Sequence, residues 1–289
     1  MGGGENFVLG TEELDPKTTP VSVPLDDAIK AVEKIWSVPI SLGQLKSRLL
    51  RDNFEGRIFW QIDWEGGIVF DSEGNAYNEP LLWACVYADT GEVFLLRDWR
   101  NEAKTDNLRD TIKAVALAQP ILHLIAIDEA VLMTPPKVYV DKTPSEGPNQ
   151  SIDYMVKWEQ VYEGIPVYQG WVSVYVNPET MKPSGFRNRI IVVEDVNTTP
   201  QVTQEDAIST AKNFVSSYLN HYHVEGVIDC QLMICRPNYY WSGGPRKLGA
   251  PTLIWFVTLN CTYPTAWTSP VEVWVNAHDA SIEGGSTYR

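Results

Sequence analysis

Apolar residues return at two different periods along this chain. In VPLDDAIKAVEKIW, which begins at Val23, the residues Leu25, Ala28, Ile29, Val32 and Ile35 or Trp36 recur every three to four positions. Asp26 and Asp27 fall in the first turn, where the helix dipole favours acidic groups. The spacing predicts an amphipathic helix over 25–36. VTQEDAISTAKNFVSSYL repeats the phrase, with Glu205-Asp206-Ala207-Ile208 in place of Asp26-Asp27-Ala28-Ile29 and Thr203 available as N-cap, and predicts a helix over 203–220. NLRDTIKAVALAQ has the same character in the middle of the chain.

Between these segments the period drops to two. RIFWQIDWEG, PLLWACVYADTGEVFLL, SIDYMVKWEQVYEGIPVYQGWVSVYVNPETMKPSGF, TLIWFVTLNCTY and SPVEVWVNAHDASIEGG are rich in aromatic and β-branched residues and are punctuated by Gly, Asn and Pro. They read as antiparallel strands. Three of the words echo one another: VYADTGEVFLL from Val86, VYVNPETMKPSGF from Val174 and VWVNAHDASIEGG from Val273. Each is a strand, an Asp- or Asn-led turn, and a returning strand, because a short polar side chain at the turn bonds its own backbone. The order of helix and meander divides the chain into an N-terminal arm over 1–22 and units over 23–100, 101–198 and 199–289. The expected fold class is therefore α+β, with tandem units that each pack an amphipathic helix on an antiparallel β-sheet.

These phrases resemble the PepSY superfamily, and in particular the fungalysin/thermolysin propeptide domain and the YcdB/YcdC-type repeat. The resemblance rests on Asp26-Asp27-Ala28-Ile29 with Val86-Tyr87-Ala88-Asp89-Thr90-Gly91-Glu92-Val93. It rests also on Tyr162-Glu163-Gly164-Ile165-Pro166-Val167-Tyr168 with Val174-Tyr175-Val176-Asn177. The later hairpins depart from the pattern, carrying Asn177 or Asn276 at the turn and lacking Thr-Gly-Glu. The resemblance implies a non-catalytic, extracellular or cell-surface module that binds proteins as an inhibitor, a chaperone-like assistant or a wall-associated domain.

Charge narrows the partners. A net charge of −14 and a pI near 4.7 disfavour nucleic acid, whose affinity comes from Lys and Arg releasing counterions. No apolar run reaches membrane-spanning length, since TIKAVALAQPILHLIAI is interrupted by Lys113, Gln119, Pro120 and His123. MGGGENFVLGTEEL lacks a basic segment followed by an apolar one, so a signal peptide is expected to be absent or already removed.

Catalytic and metal chemistry find no motif. The histidines are His123, His221, His223 and His278, with no HExxH, and the chain lacks G-x-S-x-G, a Walker loop and a dinucleotide fingerprint. His221-Tyr222-His223 would pair two imidazoles on one strand face, but its polar, aromatic setting favours solvated side chains. DSEGNAYNE alternates oxygen ligands without the spacing of an EF-hand, and WSGGP suits a hairpin loop. Trp60, Trp64, Trp83, Trp255 and Trp274 alternate along strands, as core or sheet-face residues do, rather than forming a sugar platform. The expected protein is not an enzyme and takes no cofactor and no metal. Cys230, Cys235 and Cys261 are the candidate disulfide partners, with buried free thiols as the alternative. Partners are another protein chain or copies of this one. Homo-oligomers or a self-assembling filament would be joined through an arm in which Phe7, Val8 and Leu9 add to a sheet edge.

Overall fold

The computed structural model describes residues 10–38, 44–53, 55–70, 76–100, 110–143, 151–237, 248–262 and 268–287. Both terminal helix expectations are met. Helix α1 spans Leu25–Ile35, with Asp26 and Asp27 in its first turn. Helix α3 spans Gln204–Tyr218, and the Thr203 side chain accepts from the backbone N–H of Asp206 at 3.1 Å. The middle helix, α2, runs over Thr111–Leu124 through Pro120 and is capped by Asp110, which accepts from Lys113 N.

The strands are β1 (Thr11–Leu14), β2 (Gln44–Asp52), β3 (Ile58–Phe70), β4 (Ala76–Tyr87), β5 (Val93–Asp98), β6 (Lys137–Thr143), β7 (Ser151–Tyr162), β8 (Ile165–Asn177) and β9 (Lys182–Arg189). They continue with β10 (His223–Cys235), β11 (Thr252–Thr262), β12 (Thr268–Asn276) and β13 (Ile282–Thr287). The expectation of tandem helix-on-sheet units of class α+β is overturned. The described strands form one hydrogen-bonded sheet of thirteen, eleven of them in the order β1-β2-β3-β4-β5-β9-β8-β10-β11-β12-β13, with β6 and β7 off that path. The sheet is mixed, because β8 and β10 run parallel at Val167 and Ile234. Strand pairing outruns sequence order here. β5 bonds β9 across the intervening helix and hairpin, so the second echo hairpin joins the sheet begun by the first.

By packing the chain divides into two compact units, 1–159 with 171–190, and 160–170 with 191–289. In the first unit, Ala28 and Val32 of α1 and Ala114, Ala118 and Leu122 of α2 share a core with Trp60, Ile62, Ala84, Leu96, Val174 and Phe186. In the second, Ala207, Ala211 and Val215 of α3 pack on Val257, Leu259, Val271 and Val273. Small alanines at the helix positions let the helices lie close to strands whose β-branched residues fill the space between, which is the dense packing apolar burial favours.

One local device recurs. Trp60 Nε1 donates to Val23 O at 2.9 Å, and Val23 N donates to Ala88 O at 2.9 Å, tying the entry of α1 to the sheet. Trp255 Nε1 donates to Val202 O at 2.8 Å, and Val202 N donates to Ala277 O at 2.9 Å, tying the entry of α3 in the same way. The turn reading holds for two of the three echoes: Asn177 Oδ1 accepts from Glu179 N and Thr180 N, and Asn276 Oδ1 accepts from His278 N. In the first echo Asp89 instead accepts from Arg57, and it is Thr90 Oγ1 that accepts from Glu92 N.

Candidate functional site

Strand alternation gives the first unit's sheet two apolar faces. Trp60, Ile62, Ala84, Leu96, Val174 and Phe186 point toward the helices. Their neighbours point the other way, where Leu50, Phe59, Cys85, Phe94 and Leu95 form a second buried cluster with Trp83 and Tyr87 against it. Among the described residues no helix contributes to this second cluster.

The register places the side chains of this face in rows. Arg48 lies opposite Gln61, Gln61 opposite Cys85, Cys85 opposite Leu95, Leu95 opposite Arg187, and Arg187 opposite Ser173. The next row carries Lys46, Asp63, Trp83, Arg97, Gly185 and Tyr175. Beyond the first row, Arg189 faces Trp171. Directly opposed side chains on one face of an antiparallel pair sit close enough to interact, so residues remote in sequence become one surface.

Cations and aromatic rings are matched across these rows. The Arg97 guanidinium lies 3.9 Å from the Tyr175 ring centroid, and Arg57 lies 3.2 Å from that of Tyr87. Three cations surround one indole: Lys157 and Arg187 at 5.4 Å and Arg189 at 5.8 Å from Trp171. Trp83 stacks on Trp99 with centroids 6.3 Å apart. Arginine on a ring face keeps its N–H edge free to bond outward, so the rings hold the guanidinium groups in place.

Carboxylates are fewer here. Asp153 is engaged, accepting from Arg97 Nη2 at 2.8 Å and from the Ser184 hydroxyl at 2.7 Å. Lys46 pairs with Glu65 at 2.6 Å, and Lys157 approaches Glu159 at 4.0 Å. Burial, and then the like charge of Arg189, pull the Arg187 guanidinium below its ordinary pKa. The buried Gln61 Oε1, Arg97 Nη1 and Ser173 Oγ have no hydrogen-bond partner among the described residues. Buried polar atoms are satisfied as a rule, so a concentration of exceptions on one face marks it.

Burial also raises the pKa of Asp63, against hydrogen bonding from Gln61 and the charge of Arg48. Its folded carboxyl therefore holds a proton to higher pH than the unfolded chain does. The ionised form costs stability above that range, and the cost disappears as pH falls through it. Asp63→Asn is expected to raise Tm at pH 7, with the gap over the parent closing in acid. A variant less stable at pH 7 would mean that the contacts to Gln61 and Arg48 outweigh burial.

A separate cleft of ≈ 330 Å³ lies in the same unit, lined by Trp36, Ile121, Leu124, Arg100 and Lys182 among others. Trp36 Nε1 and Arg100 Nε both donate to Asp98, at 2.9 Å each, so the corner is tied by internal bonds.

The residues singled out from sequence fall elsewhere. Phe7, Val8 and Leu9 lie outside the described residues. Just beyond them Gly10 O accepts from Asn53 N at 2.8 Å, and β1 pairs with β2 of its own chain. The candidate disulfide among Cys230, Cys235 and Cys261 does not form in this fold. Cys230 sits opposite Val257, Cys235 opposite Thr252 and Cys261 opposite Val224, and the thiols are free. At about 3.3 Å per residue, Cys230 and Cys261 are offset by about 13 Å along the strand pair, beyond the about 4.4–6.8 Å between Cα atoms that a disulfide spans. Burial pushes the Cys230 and Cys261 thiols up to about 11 and raises Cys235 further. His223 opens β10, and the His221 ring lies 4.6 Å from that of Tyr222. Among the described residues no three His, Cys, Asp or Glu side chains converge, and no helix is long and apolar enough to cross a membrane. Trp60, Trp64 and Trp274 are buried and Trp83 and Trp255 half-buried, as their alternation implies.

Comparison with known proteins adds a structural likeness. No family model matches the chain, and no curated protein matches it. Among solved structures, the Bacillus megaterium YpeB C-terminal domain is similar over 93% of this chain and 100% of its own, at 10% identity and a TM-score of 0.42.

Proposed function

We propose that this chain is a non-catalytic protein-interaction module, without a cofactor, whose contact surface is the helix-free face of the first unit's sheet. The observation that carries the reading is the set of arginines seated on tryptophan and tyrosine rings on that face. Arg, Trp and Tyr are enriched at protein interfaces and dominate their energetics, because the two aromatic side chains combine large apolar area with few flexible bonds and the guanidinium makes directional, forked hydrogen bonds. A sheet covered by helices on one side and presenting this composition on the other suits recognition of a second chain. Its acidic composition suits a soluble extracellular or cell-surface setting, and protease access to the chain on intact cells checks that part.

Photo-crosslinking amino acids test the surface itself. Placed at Arg48 or Arg189, they are expected to give defined adducts in the native organism. Placed at Ile112 or Lys30, both exposed on helices, they are expected to give none. Adducts from the helix positions alone would move the contact surface to the opposite side of the sheet.

A further inference from the structure

The interaction reading leaves open what chemistry the partner presents, and the face answers it through charge. Lys46, Arg48, Arg97, Lys157, Arg187 and Arg189 outnumber Asp63, Glu65, Asp153 and Glu159 in a chain whose net charge is −14, and Glu65 and Glu159 are engaged by Lys46 and Lys157. Asp153 is consumed by Arg97. Arg48 and Arg189 are exposed and make no ion pair with a described residue. Cations concentrated in one place on an acidic protein are costly unless something answers them. Buried polar atoms without partners, Gln61 Oε1 and Ser173 Oγ, lie in the row that Arg48 and Arg187 occupy.

We propose, on the basis of the interaction reading, that this face binds an extended acidic segment of a partner protein, whose carboxylates pair with Arg187, Arg189 and Arg48. Spacing and ring use both favour a polypeptide. Arg187 and Arg189 stand two residues apart on one strand and project from the same face, about 6.8 Å apart, which matches alternate side chains of an extended peptide. Arginine's planar fork takes a carboxylate with two bonds, and a ring beneath it fixes the plane of that fork. Single-stranded nucleic acid would need open ring faces on which bases stack. Here Tyr175, Tyr87 and Trp171 are occupied by guanidinium and ammonium groups, and Trp83 by Trp99.

A capped peptide of alternating Glu and Thr tests this by calorimetric titration of the full chain, beside its Gln-for-Glu counterpart and an oligothymidylate. The Glu peptide is expected to bind, more weakly as salt rises, and the Gln peptide and the oligonucleotide are expected not to bind. Arg48→Gln with Arg189→Gln, both exposed sites, is expected to weaken binding about tenfold or more, whereas Lys30→Gln leaves it unchanged. Absence of Glu-peptide binding overturns the proposal, and so does oligonucleotide binding of equal strength. Crosslinks at Arg48 and Arg189 without Glu-peptide binding would leave the interaction surface standing and remove only its acidic partner.

Discussion

Replacing Asp153 by alanine is expected to lower the free energy of unfolding by about 3–5 kcal/mol, the range for removing one partner of a buried ion pair. Asp153 and Arg97 are 7% and 11% exposed, and their contact is 2.8 Å long. The Ser184 hydroxyl donates to the other carboxylate oxygen. Without the carboxylate, Arg97 keeps its stacking on Tyr175 but loses the only ion pair it makes among the described residues. The Nη1 of Arg97 already lacks a partner there, so no ready substitute exists. The pair itself is worth far less than its disruption, because two desolvated charges repay little more than their own desolvation. Arg97→Met with Asp153→Leu is accordingly expected to lose much less than Asp153→Ala alone. Urea unfolding of both single variants and the double variant checks this. Equal losses for the double variant and Asp153→Ala would show that charge is not the source of the effect.

Gly185→Ala is expected to cost more than about 3 kcal/mol, from strain in the backbone together with overpacking. Gly185 has φ +154, and a Cβ there would lie 2.2 Å from Leu96 O and 3.1 Å from Arg97 Cα. Those atoms belong to β5, which pairs β9 at this point, so relief requires the strands to part. The loss would reach the proposed surface, because Arg97 and Tyr175 flank Gly185 in one row. Gly226 is the control: a Cβ there meets nothing within 4 Å, so Gly226→Ala is expected to change stability by no more than about 0.5 kcal/mol. Thermal unfolding of the two variants separates a close backbone approach from a general intolerance of side chains at strand glycines.

Local features of this fold were legible in the sequence because local rules produce them. The period of Leu25, Ala28, Ile29 and Val32 and the Thr203 cap locate α1 and α3 to within a residue or two. Asn177 and Asn276 mark turns through bonds to their own backbone. The failures are non-local. Nothing in VFLLRD or KPSGFRNR says that β5 and β9 pair, or that β8 meets β10 in parallel, since such pairing depends on how every other strand packs. The tandem units expected from the helix-meander order are lost for that reason.

The surface was hidden by the same non-locality. Arg48, Arg97, Lys157, Arg187 and Arg189 form no basic run, and against a net charge of −14 they read as background. One signal was present: in FRNRI, Arg187 and Arg189 alternate with Phe186 and Asn188, a period of two with the cations together on one side. Trp171, Ser173 and Tyr175 alternate likewise with Val172, Val174 and Val176. A strand with valines on one face and aromatic and hydroxyl groups on the other already describes a sheet with two used sides.

Hydroxyl-radical footprinting of the chain in its native extract and after purification tests the central claim most directly. Oxidation of Trp171 and Tyr175 is expected to fall in the extract relative to the purified chain, while Leu124 on α2 is equally oxidised in both. Unchanged oxidation of Trp171 and Tyr175, with protection confined to the helices, would contradict the assignment of this face as the contact surface.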